Sequence, residues 1–166
     1  MKLVVGITGS TGVIYGIRLL ETLKRLNIET HLVMSEWAEK CITMETKHDL
    51  NYVKSLATQI SDESNMAANI SSGTHKTDGM IVIPCSMKTL SSVANGYDET
   101  LVARAGGVTL KEARKLVLVA RETPLTAINL ENMLKLARLG VVIMPNPLSE
   151  SRLAVLGVSR IIFISG

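Results

Sequence analysis

The stretch "VIPCSMKTLSSVANG", residues 82–96, changes character in its middle. Val82 and Ile83 are strand formers, and the preceding "GMI" extends the run back to Gly79. After Pro84, Cys85 and Ser86 the pattern turns helical from about Met87. A short apolar strand feeding directly into a helix is half of a βαβ unit.

The same unit recurs in both directions along the chain. Residues 3–8 are a strand candidate, followed by a helix over 14–26. In that helix Ile14, Ile17, Leu20, Leu23 and Leu26 share one side, with Arg18, Glu21, Lys24 and Arg25 on the other. "ETHLVMS" (29–35) is a second strand, and Ser35 is placed to cap a helix with Glu36 and Glu39 in its opening turns. Asp49 caps a further helix to Thr58, and the polar residues 59–79 read mostly as loop. Residues 99–114 are mixed helical, 115–120 a strand, 125–139 a helix closed by Gly140, and 141–145 a last strand. Alternating β and α units with near-continuous apolar strands predict an α/β fold: a three-layer, Rossmann-like or flavodoxin-like sandwich around a parallel central sheet.

Composition fits one such domain. The chain has 166 residues, 46% hydrophobic and 20% charged, and a net charge of +3. Its basic residues are spread rather than clustered, which argues against nucleic acid as a partner. Cys41 and Cys85 form no CxxC pair, and His31, His48 and His75 show no ligand spacing, so no metal site and no disulfide is expected. The N-terminal "MKLVVGITG" is too short an apolar run for a secretory signal, and no run approaches a membrane span of about 20 residues. A cytoplasmic protein without membrane contact is the expectation.

In open α/β sheets ligands collect beyond the carboxyl ends of the strands. Strand one ends in "GITGSTG", which lacks GxGxxG spacing but offers a tight turn, free amides and the Ser10 and Thr11 hydroxyls. Taken alone this is equally a plain turn with a capping hydroxyl. Ser35 follows the second strand, Ser86, Met87, Lys88 and Thr89 the strand of the opening stretch, and Arg121 and Glu122 the strand at 115–120. Singly, Ser35 is a cap, Cys85 a small buried hydrophobe and Arg121–Glu122 a solvated pair. Together they line one edge of one sheet with hydroxyls, amides and an arginine, which suggests a phosphate-bearing ligand. Glu45 reads equally as an exposed helix-end acid. Arg104 and Lys111, seven apart, read as one solvated basic face if the helix survives Gly106–Gly107.

These motifs resemble the UbiX/Pad1-type flavin prenyltransferases, once described as aromatic acid decarboxylase subunits. The matching stretches are "VGITGSTGVIYGIRLLE", "ETHLVMS", "AANISSGTHKTDGMIVIPCSMKTLSSVANGY", "LVARAGGVTLKEARKLVLVARETPL" and "INLENMLKLARLGVVIMP", spanning residues 3–145 almost without a break. "PCSMKTL" together with "RETPL" is the most specific element. The resemblance implies a non-covalent FMN site and a flavoprotein (FMN-binding) domain over residues 1–145. It implies transfer of a dimethylallyl group from dimethylallyl phosphate to reduced FMN, first at N5 and then closing a ring at C6. The prenylated FMN so made would serve a UbiD-type decarboxylase as partner. It further implies a homo-oligomer, a dodecamer in the family, with sites shared between subunits.

Carried over residue by residue, Gly9, Ser10, Thr11, Ser35, Ser86, Met87, Lys88, Thr89 and Arg121 fall on flavin-contacting positions. Glu45, Arg104, Lys111, Arg121 and Glu122 fall on catalytic ones. The cations would neutralise the departing phosphate, and the carboxylates would orient them or handle protons. Cys85 would be structural, not a nucleophile. Residues 146–166 depart from the pattern: relatives continue with a segment supplying a tyrosine and a basic residue, whereas here neither Arg152 nor Arg160 aligns with that base. Two alternatives follow: an FMN-binding paralogue or truncated form without transferase activity, and a flavin-dependent cysteine decarboxylase. Against the second, "PCSMKT" replaces an Asn-containing strand end, and Tyr15 stands where that group carries a histidine.

Overall fold

The computed structural model describes residues 1–145; the region 146–166, with Arg152 and Arg160, lies outside the described residues. Six parallel strands form one sheet in the order β3-β2-β1-β4-β5-β6. They are β1 (Lys2–Ile7), β2 (Glu29–Met34), β3 (Gln59–Asp62), β4 (Gly79–Cys85), β5 (Lys115–Ala120) and β6 (Val142–Pro145). The order reverses between β1 and β4, the doubly wound arrangement that opens a ligand crevice at that switch point.

Alternating side chains divide the strands between two cores. Val5, Ile7, Leu32, Met34, Ile81, Ile83, Val117 and Val119 pack on one face beneath α1 (Val13–Arg25), α2 (Glu36–Glu45) and α3 (Leu50–Ser55). Val4, Val33, Met80, Val82, Leu116 and Leu118 pack on the other, beneath α4 (Met87–Asn95), α5 (Leu101–Lys111) and α6 (Ala127–Arg138). With both faces covered, the strands carry continuous apolar runs, as the sequence pattern demanded.

Helix starts follow from hydroxyl and carboxylate caps. Ser35 Oγ accepts from the Ala38 N–H at 3.1 Å and Asp49 from Asn51 and Tyr52. Ser86, Thr100 and Thr126 cap α4, α5 and α6 in the same way.

Residues 59–79 are mostly loop, as expected, but they also hold β3, which pairs with β2 in the register His31↔Gln59 to Met34↔Asp62, and a 3-10 turn over Asn69–Ser71. "QISD" is a half-polar edge strand with no apolar alternation, so only its neighbour reveals it. Gly106–Gly107 do not interrupt α5, so the condition on which Arg104 and Lys111 share a helix is met. A Cβ on Gly106 would press on Val93 at 3.0 Å, so the glycine lets α5 close onto α4, offsetting its poor helix propensity.

Candidate functional site

At the carboxyl edge of the sheet, register brings four strand ends side by side. Ile7 lies opposite Met34, and Cys85 opposite Ala120. β4 gains a residue against β5 between Val82 and Cys85, where Pro84 has no N–H to give the ladder. Backbone and side chain then interlock across the switch point. Thr8 donates from N–H and Oγ1 to the Pro84 carbonyl at 3.2 and 2.9 Å, and its Oγ1 accepts from the Ser86 N–H at 2.8 Å. The Ser35 N–H donates to the Ile7 carbonyl, and the Arg121 N–H to the Cys85 carbonyl. Thr8, only 1% exposed, is a positioning residue that the motif reading passed over; its place as the residue ending strand one was the available signal.

This lattice fixes the loop 9–12, Ser35, the 86–89 turn and Arg121 along one rim. Gly12 sits at φ 102° as the residue before α1, and α1 has no side-chain cap. Instead, Glu45 at the end of α2 accepts from the Gly12 N–H at 3.1 Å. Gly9 lies so close to α2 that a Cβ there would collide with the Trp37 side chain. The Ser10 hydroxyl is buried without a hydrogen-bond partner. The Arg121 guanidinium has no hydrogen bond or ion pair among the described residues. A buried orphan hydroxyl, an unpaired cation and a helix start are groups that a phosphate monoester would satisfy.

An open cavity of about 490 Å³ adjoins the rim, lined by Thr11, Gly12, Tyr15, Glu45, Arg121 and Glu122 among others. It brings together three of the five expected catalytic residues. Glu122 accepts from its neighbour's Thr123 N–H at 3.1 Å and is otherwise exposed. Arg104 and Lys111 line neither this cavity nor its neighbour. Arg104 bonds the Ser71 carbonyl at 3.0 Å and Asp98 at 2.8 Å, while Lys111 pairs with Glu112 at 3.0 Å. The two do occupy one helix, but α5 runs toward the start of β5, away from the ligand rim.

In the 86–89 turn the side chains diverge. Ser86 and Thr89 share a 3.2 Å hydroxyl contact, Met87 packs against the core, and Lys88 is exposed, 4.0 Å from Glu99. Lys88 belongs to a second cavity of about 500 Å³ bounded by Glu36, Glu39, Asp62, Glu63 and Glu99. Burial pushes the Glu63 carboxyl above its ordinary range. So acidic a lining disfavours phosphate, whereas the Arg121 side offers an unpaired cation. Cys85 is fully buried, and burial pushes its thiol up to about 12, which fits a space-filling residue.

Residues 1–160 match the Flavoprotein family. A probable UbiX-like flavin prenyltransferase from Streptomyces sp. (strain D7) is 55% identical over 146 residues, covering 87% of this chain and 73% of the relative. The crystal structure of a dodecameric FMN-dependent Ubix-like decarboxylase from Escherichia coli O157:H7 superposes with TM-score 0.91 at 49% identity, covering 98% of this chain and 93% of that one. AnUbiX (PadA1), crystallised with FMN and dimethylallyl pyrophosphate, superposes with TM-score 0.90 at 47% identity, covering 97% and 89%.

Proposed function

The chain belongs to the Flavoprotein family and, within it, to the UbiX-like flavin prenyltransferases, and from that membership we propose that it transfers a dimethylallyl group from dimethylallyl phosphate to reduced FMN. The observation that carries this reading is the convergence of the loop 9–12, Ser35, the Ser86–Thr89 turn and the unpaired Arg121 on one rim, beside the cavity holding Glu45 and Glu122. FMN is a substrate here: its N5 displaces the phosphate, forming a C–N bond as the C–O bond breaks, and ring closure at C6 completes the prenylated product.

The residues supply positioning and charge. Ser10, with the amides of the loop, holds the flavin phosphate, and Ser35, Ser86 and Thr89 offer hydroxyls along the rim. Arg121 compensates the negative charge gathered on the leaving phosphate. Glu45 and Glu122, held on the Gly12 and Thr123 amides and not paired with Arg121, exchange protons at the cavity wall. Arg104 and Lys111 face away from this chain's own cavity, so their part in catalysis requires a neighbouring copy in a homo-oligomer, a dodecamer like the Escherichia coli neighbour. The product is consumed by a UbiD-type decarboxylase, in the cytoplasm. Among the described residues no helix is long and apolar enough to cross a membrane.

The test is anaerobic incubation of the purified chain with reduced FMN and dimethylallyl phosphate or pyrophosphate, followed by mass analysis of the flavin. A mass increase of one prenyl unit is expected. Protein that holds FMN but yields no such mass is a flavin binder without transferase activity; protein that does not retain FMN defeats both readings.

A further inference from the structure

Arg104 lines neither cavity described above, yet its side chain is firmly held. Nε donates to the Ser71 carbonyl at 3.0 Å, and Nη1 to Asp98 Oδ2 at 2.8 Å. Nη2 has no hydrogen bond among the described residues and is not buried, since 39% of the side chain is exposed. Two guanidinium nitrogens are therefore fixed, and the third is free to meet a ligand.

Asp98 holds this arrangement in an unusual way. It stands half-buried in the connection 96–100 between α4 and α5, and its second oxygen, Oδ1, is buried without a hydrogen-bond partner. A carboxylate oxygen left so destabilises the fold. Oδ1 lies against α5 at Gly107, where a Cβ would stand 3.1 Å from it. The notch left by that glycine seats one oxygen and aims the other at Nη1. Because the carboxylate offsets part of the Arg104 charge, its contribution is one of direction: it sets where the free N–H groups point.

We propose that Asp98, seated in the notch at Gly107, is a positioning residue that aims the free edge of Arg104 at the leaving phosphate in a neighbouring copy's site. The inference rests on the reading above that Arg104 serves such a site, and adds to it the two residues that fix its direction. Donors held in place before charge develops lower the barrier rather than tighten ground-state binding, so the effect falls on kcat.

The experiment compares Asp98→Ala, Asp98→Asn, Gly107→Ala, Arg104→Ala and the double variant Asp98→Ala/Arg104→Ala with the parent chain. All are matched in oligomeric state by size exclusion and assayed well below their melting temperatures. Prenylated-flavin formation gives kcat and the KM for dimethylallyl phosphate; titration gives FMN affinity. Asp98→Ala should lower kcat about tenfold, with KM and FMN affinity within about threefold of the parent. Asp98→Asn keeps an acceptor for Nη1 and should recover most of that loss. The double variant should be no slower than Arg104→Ala, because the two residues act as one unit. Gly107→Ala should slow turnover while the melting temperature holds or rises, since alanine is the better helix former. Asp98→Ala with parental kcat, beside a slow Arg104→Ala, overturns the positioning role and leaves the part of Arg104 standing. So does a loss of melting temperature in Asp98→Ala and Asp98→Asn alike without any change in kcat. Arg104→Ala with parental kcat removes the reading on which the proposal rests.

Discussion

The Glu45 carboxylate lies 3.1 Å from the Gly12 amide nitrogen, so the last residue of α2 caps the first turn of α1. Trp37, eight residues earlier on the same helix, meets the loop at Gly9. The loop 9–12 is therefore clamped along its length by one helix, aromatic at one end and acidic at the other.

Glu45→Ala removes the acceptor of the Gly12 N–H and a negative charge at a helix N-terminus. At an exposed cap this should lower stability by about 0.5–1 kcal/mol, read by urea denaturation. Prenylated flavin formation should fall well below that of the parent while FMN affinity stays within about threefold, since the carboxylate borders the cavity rather than the phosphate.

Arg121→Ala should separate binding from folding. Its guanidinium has no protein partner among the described residues, so the melting temperature without ligand should stay within a degree or two. Losing a charge-assisted bond of about 1.5–3 kcal/mol should weaken FMN binding roughly 10- to 100-fold in a direct titration. An equal loss of melting temperature would mean that the arginine serves the fold instead.

The two thiols should react in sequence. Cys41 is half-buried, and burial with the nearby Glu45 raises its pKa, so a thiol reagent at pH 8 should label it slowly. Cys85, buried and pushed up to about 12, should react only once denaturant unfolds the sheet. Cys85→Ala should still form prenylated flavin, an outcome that would exclude a nucleophilic role.

Acid should weaken the fold through His31. Burial, then the neighbouring His75 and Lys2, hold its pKa below 6.5 in the native state. Below 6.5 the unfolded chain takes up a proton that the folded one resists. Stability is therefore complete above pH 6.5 and declines as the pH falls toward the folded-state value. His31→Gln should flatten that decline between roughly pH 7 and 5 in thermal melts, and it keeps a donor for Ser61, which now bonds Nε2 at 2.8 Å.

What could be read beforehand followed from local rules. Strand runs such as "KLVLVA", the caps Ser35 and Asp49, and the strand-end position of Ser86 and Arg121 each depend on neighbours in sequence. β3 escaped because an edge strand draws its identity from the partner it hydrogen-bonds, here His31 to Met34. Arg104 and Lys111 show another gap: their spacing places them on one helix face but says nothing of which way that helix travels. The Glu45–Gly12 bond and the Trp37–Gly9 contact join residues 33 and 28 apart in sequence, through a packing that no local pattern encodes.

The Thr8–Ser86 hydrogen bond spans 78 residues and holds two halves of the rim together. No fragment carrying only one half owns the site, and an unfolded chain has nothing to offer the ligand. Occupancy and folding are thus thermodynamically linked: FMN at 100 times its dissociation constant should add about 2.7 kcal/mol to the unfolding free energy. A concentration-dependent rise in melting temperature then counts ligand bound, even under conditions where no turnover can be seen.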